Sequence, residues 1–144
     1  MQTLTTIFYA LIAILFQTYL PLKFDLLLVL LIVLSVKRSR SETLLYAFLG
    51  GFVLDALSAL GFINTLSKTL AGILANYLKD LFSLEPSFMA LALVLILTPL
   101  TYLFEISALQ LFFHQSLGWG QHLIRFAQLM LCNLLLTPIV FWLI

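Results

Sequence analysis

Apolar residues run along this chain in blocks long enough to cross a bilayer, separated by short polar stretches. A helix needs roughly 17–25 consecutive, mostly apolar residues to span hydrocarbon. Runs of that kind predict helices over residues 4–20, 43–60, 62–78, 86–113 and 122–144. One further run, residues 24–36, is shorter. At ~1.5 Å per residue it reaches only about 20 Å, so a tilted or partial span packed against protein is expected there. The pattern predicts about six helices. Its boundaries carry their own signals: "SRSE", Ser39 to Glu42, has capping-box spacing, so Ser39 caps the third helix. Pro86 suits the first turn of the fifth, and Pro99 is expected to kink it.

Composition assigns a class to this pattern. Of 144 residues, 63% are hydrophobic and 9% charged, with a mean hydropathy of +1.17. A soluble domain carries about 25% charged residues, and a small one leaves too much surface exposed to hide so many apolar side chains. The expected fold is all-α, a polytopic transmembrane helix bundle forming one integral membrane domain over residues 1–144. No Lys or Arg precedes the first apolar run and no small-residue cleavage pattern follows it. It therefore reads as a retained helix, not a signal peptide. Lys37, Arg38, Arg40 and Lys79 fall at one side of the bundle, against Lys23 and Arg125 at the other. That asymmetry predicts both termini in the cytoplasm, with Trp119 in the outer aromatic belt. A net charge of +1 without a basic aromatic patch excludes nucleic acid and leaves membrane lipid as the surroundings. The lone cysteine, Cys132, excludes an intrachain disulfide.

Charge inside this apolar setting is the exception that needs a reason. "GGFVLDALSALGFINTLSKTLAG", Gly50 to Gly72, carries Asp55 and Lys68. With Gly61 and Phe62 at the tip of a helical hairpin, Asp55 lies level with Lys68, Gly51 with Gly72, and Ala47 with Asn76. Gly50, Gly51, Gly61 and Gly72 are the helix-packing candidates, because small residues let backbones approach closely in lipid. An ion within hydrocarbon costs at least about 2.5–3.5 kcal/mol, so it is expected to be paired. The pair is either a structural lock on the hairpin or a site for a ligand or partner helix.

Other polar residues fall in the same outer half: Glu105 and Gln110 on the fifth helix, Arg125 and Gln128 on the sixth, with Cys132 sharing their face and Asn133 beside it. Interhelical hydrogen bonding is the expectation for them, with an outward-open cavity as the alternative. Asp55, Lys68, Glu105 and Arg125 are the candidate ion-pair, partner or ligand residues. His114 and His122 lack a third ligand at metal spacing, so neither a metal nor a cofactor is expected. Nucleotide-binding loops, nucleophile elbows and metalloprotease helices are absent from the sequence. Asp55 and Glu105 alone make a weak acid–base pair, and no catalytic residue is assigned.

"LGGFVLDALSALGFINTLSKTLAGILANYL" resembles the core signature of the bacterial rod shape-determining MreD family. The matching positions are Gly50, Gly51, Leu54, Asp55, Leu57, Ser58, Leu60, Gly61, Asn64, Lys68, Thr69, Leu70 and Gly72. Gln17 late in the first helix, "PLKFDLLLVLLIVL" and the prolyl last helix "NLLLTPIVFW" fit the family's plan. The "GSP"-type insert after the serine is missing, so the turn is shorter. The resemblance implies a non-enzymatic inner-membrane subunit of the cell-elongation machinery. It would bind the bitopic protein MreC and be linked through it to MreB filaments, RodA and the elongation transpeptidase, which build peptidoglycan. It also implies a fold similar to the S subunits of energy-coupling factor vitamin transporters. A substrate-binding S subunit is the alternative function. Against it, the Ala-x-x-x-Ala docking pattern of S subunits is missing from helix one, which offers Ala10 and Ala13.

Overall fold

The computed structural model describes residues 2–19, 25–59, 61–113 and 118–144, excepting the side chains of residues 2–4, 19, 113 and 119. Leu20, Lys23, Phe24, Leu60, His114 and the Trp119 side chain, all used above, lie outside the described residues. The described residues are all-α, with six helices and no strand: α1 Gln2–Tyr19, α2 Leu26–Lys37, α3 Arg40–Ser58, α4 Ile63–Leu81, α5 Pro86–Phe113 and α6 Trp119–Leu143. Hydropathy alone ends the third and fourth helices at their charged residues. The backbone ladder ignores side-chain polarity, so α3 begins at Arg40 and α4 continues through Lys79 and Asp80. Ser39 caps α3, its Oγ accepting from the Glu42 N–H at 3.4 Å.

The short helix is the centre of the molecule. Every residue from Leu27 to Ser35 is buried, as expected of a helix apolar all round. At ~1.5 Å per residue its 12 residues span about 18 Å. α2 touches all five other helices, which follow one another around it in the order α1, α3, α4, α5, α6. The ring is open: α1 and α6 nowhere bring a Cα pair within 8 Å. On one side Leu28 and Ile32 pack with Ala71 and Ala75 of α4 and with Leu93, Val94 and Leu97 of α5. On the other, Leu27, Leu30, Leu31 and Leu34 pack with Ile14 of α1 and with Ala47 and Leu54 of α3.

At the end where α2 finishes, lysines close the helix C-termini. Lys79 Nζ donates to the Ser35 carbonyl at 2.7 Å. Lys37 Nζ donates to the Phe141 carbonyl and sits 4.2 Å from the centroid of its ring. Both carbonyls belong to last turns, whose oxygens have no partner within their own helix. Arg40 pairs with Asp80 across the α3–α4 hairpin at the same end.

The exterior is apolar. Phe8, Phe48, Phe52, Leu66, Leu103 and Leu131 are all exposed, one or more on each ring helix. Pro86–Phe112 and Gly120–Leu143 are long and apolar enough to cross a membrane. The helices expected to span at α1, α3 and α4 fall short of that standard: the apolar part of α1, Thr5–Thr18, is too short, and the charged and small polar residues of α3 and α4 lower their hydropathy. α5 and α6 remain helical through Pro99 and Pro138.

Candidate functional site

α3 and α4 form a hairpin in a register different from the one the sequence suggests. Gly51 meets the backbone of Asn64 and Thr65, while Gly72 meets Ala47. Gly51's partner lies about two helical turns before Gly72, and Gly72's partner about one turn before Gly51. α3 ends at Ser58 and its C-cap, Ala59, takes a left-handed φ of 54°. The turn therefore lies between Ser58 and Ile63 and includes Gly61 and Phe62. Gly61 is not a packing glycine: a Cβ there would meet nothing within 4 Å, but its φ is +70°. Glycine reaches that conformation without steric cost. Gly50 packs toward α2, where a Cβ would come 2.9 Å from Leu27 Cδ1.

The register decides what Asp55 does. It does not pair with Lys68. Its Oδ1 accepts from the Asn64 N–H at 2.9 Å and the Asn64 side-chain amide at 3.0 Å. Its Oδ2 accepts from the Thr65 N–H and hydroxyl, both at 2.7 Å. Phe62, at the N-cap of α4, makes no side-chain cap. Asp55 thus caps α4 from the preceding helix. A carboxylate there satisfies two of the orphan N–H groups and complements the positive end of the helix dipole.

Lys68 is the largest fully buried side chain among the described residues, at 1% exposure. Its Nζ donates to Asp25 Oδ2 and, at 2.8 Å, to Glu105 Oε1. The lysine therefore joins α4 to the start of α2 and to α5. Asp25 does further work. Its Oδ1 caps α2 by accepting from the Leu28 N–H at 3.0 Å, and also accepts from Gln17 Nε2 at 2.9 Å. Its own N–H donates to Asn133 Oδ1 at 3.0 Å, and Asn133 Nδ2 donates to Thr98 Oγ1 at 3.2 Å. Ser67 donates to Glu105 at 2.8 Å. One connected network thus runs from α1 through α2 and α4 to α5 and α6.

Two carboxylates share one ammonium, so the formal charge of the triad is −1. Each charge has a partner and the remaining Asp25 lone pairs have donors, the condition under which burial of ions is tolerated. Glu105 is the less buried partner, with its side chain 26% exposed against 8% for Asp25.

Of the four candidate charges, the structure brings Lys68 and Glu105 together and places Asp55 in a separate cap. Arg125 is outside the network: it is exposed, as are Gln110 and Gln128, and none of the three has a hydrogen bond or ion pair among the described residues. Distance along the helices put them level with the network, but the side chains leave α5 and α6 on another face. Cys132 is half-buried, and only Asn133 of that group faces the network. His122 Nδ1 lies 3.4 Å from the Tyr102 hydroxyl, and no metal-binding cluster occurs among the described residues.

Sequence reasoning passed over Asp25, the residue that organises the site. The signal was present, because an aspartate three residues before Leu28 at the head of an apolar run has the N-cap spacing that identified Ser39. Among the described residues, apolar grooves lie on the outside. One, of about 290 Å³, lies between Phe62, Leu66, Phe104 and Phe112. Another, of about 320 Å³, lies between Pro99, Tyr102, His122 and Phe126. Comparison of the chain with protein-family models, curated proteins and solved structures finds no match.

Proposed function

We propose that this chain is a multi-pass protein of the bacterial cytoplasmic membrane with both termini inside, acting as a non-catalytic subunit of the cell-elongation complex. In that role it binds MreC and helps couple peptidoglycan synthesis by RodA and its transpeptidase to MreB filaments, maintaining rod shape. The observation that carries the membrane part is the inverted distribution of polarity. Lys68, Asp25 and Asn133 are buried while phenylalanines and leucines cover the exterior. Polar side chains facing a bundle interior and apolar ones facing out are what hydrocarbon surroundings demand. Lys37, Arg38, Arg40 and Lys79 gather at the end assigned to the cytoplasm.

The family part is supported by what the matching residues do. Gly51 and Asp55 set the α3–α4 crossing, Asn64 receives the cap, and Lys68 anchors the polar network. Residues that carry the MreD resemblance are thus those on which the hairpin's geometry depends. The S-subunit reading draws less support, because the polar groups that do face the interior, Lys68 and Glu105, are engaged by one another and by Asp25 and Ser67.

The test is depletion in a rod-shaped host that carries this chain. Rounding of the cells before growth stops, with MreC recovered alongside the chain in detergent, is expected. Rods that persist after depletion, or co-purification of a vitamin or an ATPase module, overturn the proposal.

A further inference from the structure

α6 closes the ring on one side only. Over Gly120–Leu143 just 11% of its most apolar window is buried inside the protein, against 39% for α5. Its inward face is fixed by Asn133, which bonds Asp25 and Thr98. Leu134 and Phe141 pack toward the α4–α5 side of the core, and Val140 and Ile144 toward the α1–α3 side. At about 100° per residue, Arg125 lies half a turn of the wheel from Leu134, on the flank facing the opening between α6 and α1.

That flank has a pattern of its own. Arg125, Gln128, Cys132, Leu135, Ile139 and Trp142 follow one another at alternating spacings of three and four residues. All are exposed except Cys132, which is half-buried. A 3,4 repeat is the seam by which one helix receives another. This seam has no helix against it, since α1 stays beyond 8 Å at every Cα.

The polar residues say what kind of helix fits. Arg125 makes no ion pair or hydrogen bond among the described residues and faces outward from an apolar helix. Counted from Trp119, it lies about 9 Å along α6, and Gln128 about 14 Å, at ~1.5 Å per residue. A lipid headgroup could answer an arginine that snorkels. It does not answer the shorter Gln128 a turn deeper, where an unsatisfied amide costs free energy. A second copy docked two-fold on the same seam would set Arg125 against Arg125, which like-charge repulsion disfavours.

We infer that this outward flank of α6 is the docking seam for one transmembrane helix of a different protein, which carries a carboxylate opposite Arg125. A helix docked along that seam covers the apolar lower half at Leu135, Ile139 and Trp142. It also gives the upper half a charged, hydrogen-bonded partner. The inference rests on the membrane reading above and adds the surface and the chemistry of the partner.

The experiment uses the full chain in its native membrane, with a photo-crosslinking phenylalanine analogue placed singly at Gln128, Leu135 or Ile139. Leu123 and Ala127, exposed on the side of α6 turned away from the seam, serve as controls. The expected result is one protein adduct from the seam positions and none from the controls. Arg125→Glu, with the probe at Leu135, should weaken that adduct about tenfold or more, as loss of one partner of a desolvated pair requires. Reversing the partner's acidic residue to Lys should restore it. Because the probe variants keep Arg125, their adducts do not depend on how well Arg125→Glu folds. Lipid adducts alone, an adduct of two copies of this chain, or equal labelling at seam and control positions overturns the inference. So does failure of the charge reversal to restore the adduct. A seam adduct to a protein other than MreC leaves the seam standing and counts against the elongation role. Rounding on depletion without a seam adduct does the reverse.

Discussion

Lys68 bonds to Asp25, 43 positions earlier in the chain, and not to Asp55, with which it shares a hairpin. The hairpin carries both charges and gives them separate duties. Asp55 holds the N-terminus of α4, and Lys68 holds α4 to α2 and α5. Exchanging the two charges would therefore break both arrangements and rebuild neither.

Lys68→Met leaves Asp25 and Glu105 without a counter-ion in the interior, and should lower stability by about 3–5 kcal/mol. Adding Asp25→Asn and Glu105→Gln removes the stranded charges while keeping an N-cap acceptor at α2. At least half the loss should return, read as the unfolding midpoint in mixed micelles. Adding Asp55→Asn to Lys68→Met should return nothing. Equal recovery from both routes would show that Asp55 belongs to the same charge cluster.

Asp55→Ala removes four hydrogen bonds and the cap of α4. A loss of at least ~2 kcal/mol is expected, since a cap alone is worth about 0.5–2 and bonds to a charged group more. Asp55→Asn should fall between Ala and the native chain. Faster amide exchange at Asn64 and Thr65, with the lower half of α4 unchanged, is the local signature. Uniform loss of protection through α4 would argue against a capping role.

The hairpin glycines should separate cleanly. Gly51→Ala places a Cβ 2.7 Å from Thr65 Cα, and backbone cannot move aside as a side chain can. The helices must part, at about 1–3 kcal/mol. Gly61→Ala meets open space, and its cost is the left-handed conformation alone, ~1–2 kcal/mol. Ala59→Gly should stabilise by up to about 1 kcal/mol, because Ala59 already occupies the left-handed C-cap that glycine favours. Thermal midpoints of the three variants test the order, and a stabilising Gly51→Ala would refute the close crossing.

The weight carried by α2 can be read from a matched pair. Leu31 is 1% exposed at the centre and Leu131 is 61% exposed on α6. Leu31→Ala should cost ~2–5 kcal/mol, and Leu131→Ala no more than about 0.5. Comparable losses at the two sites would mean that α2 is not the core.

Much of the architecture is written in local pattern. Apolar runs located all six helices, because a helix satisfies its own backbone and needs only neighbours along the chain. Ser39 and Pro86 marked starts for the same reason, and Asp25 obeys the same capping rule. The shortness of the apolar run 24–36 marked α2 as a helix packed against protein. Partnership across the bundle was not so written. The α3–α4 register differs by one to two turns from the one local pattern suggests, because it is set by the turn and by the Gly51–Thr65 contact. The choice of Asp25 over Asp55 for Lys68 followed from where α2 begins inside the ring. The separation of Asn133 from Arg125 depended on which flank of α6 meets α2. The sequence determined which segments are helices and that charge would need partners inside them. Only the tertiary structure decided which partners, because ion pairs follow distance in space and that distance is set by packing between helices far apart in the chain.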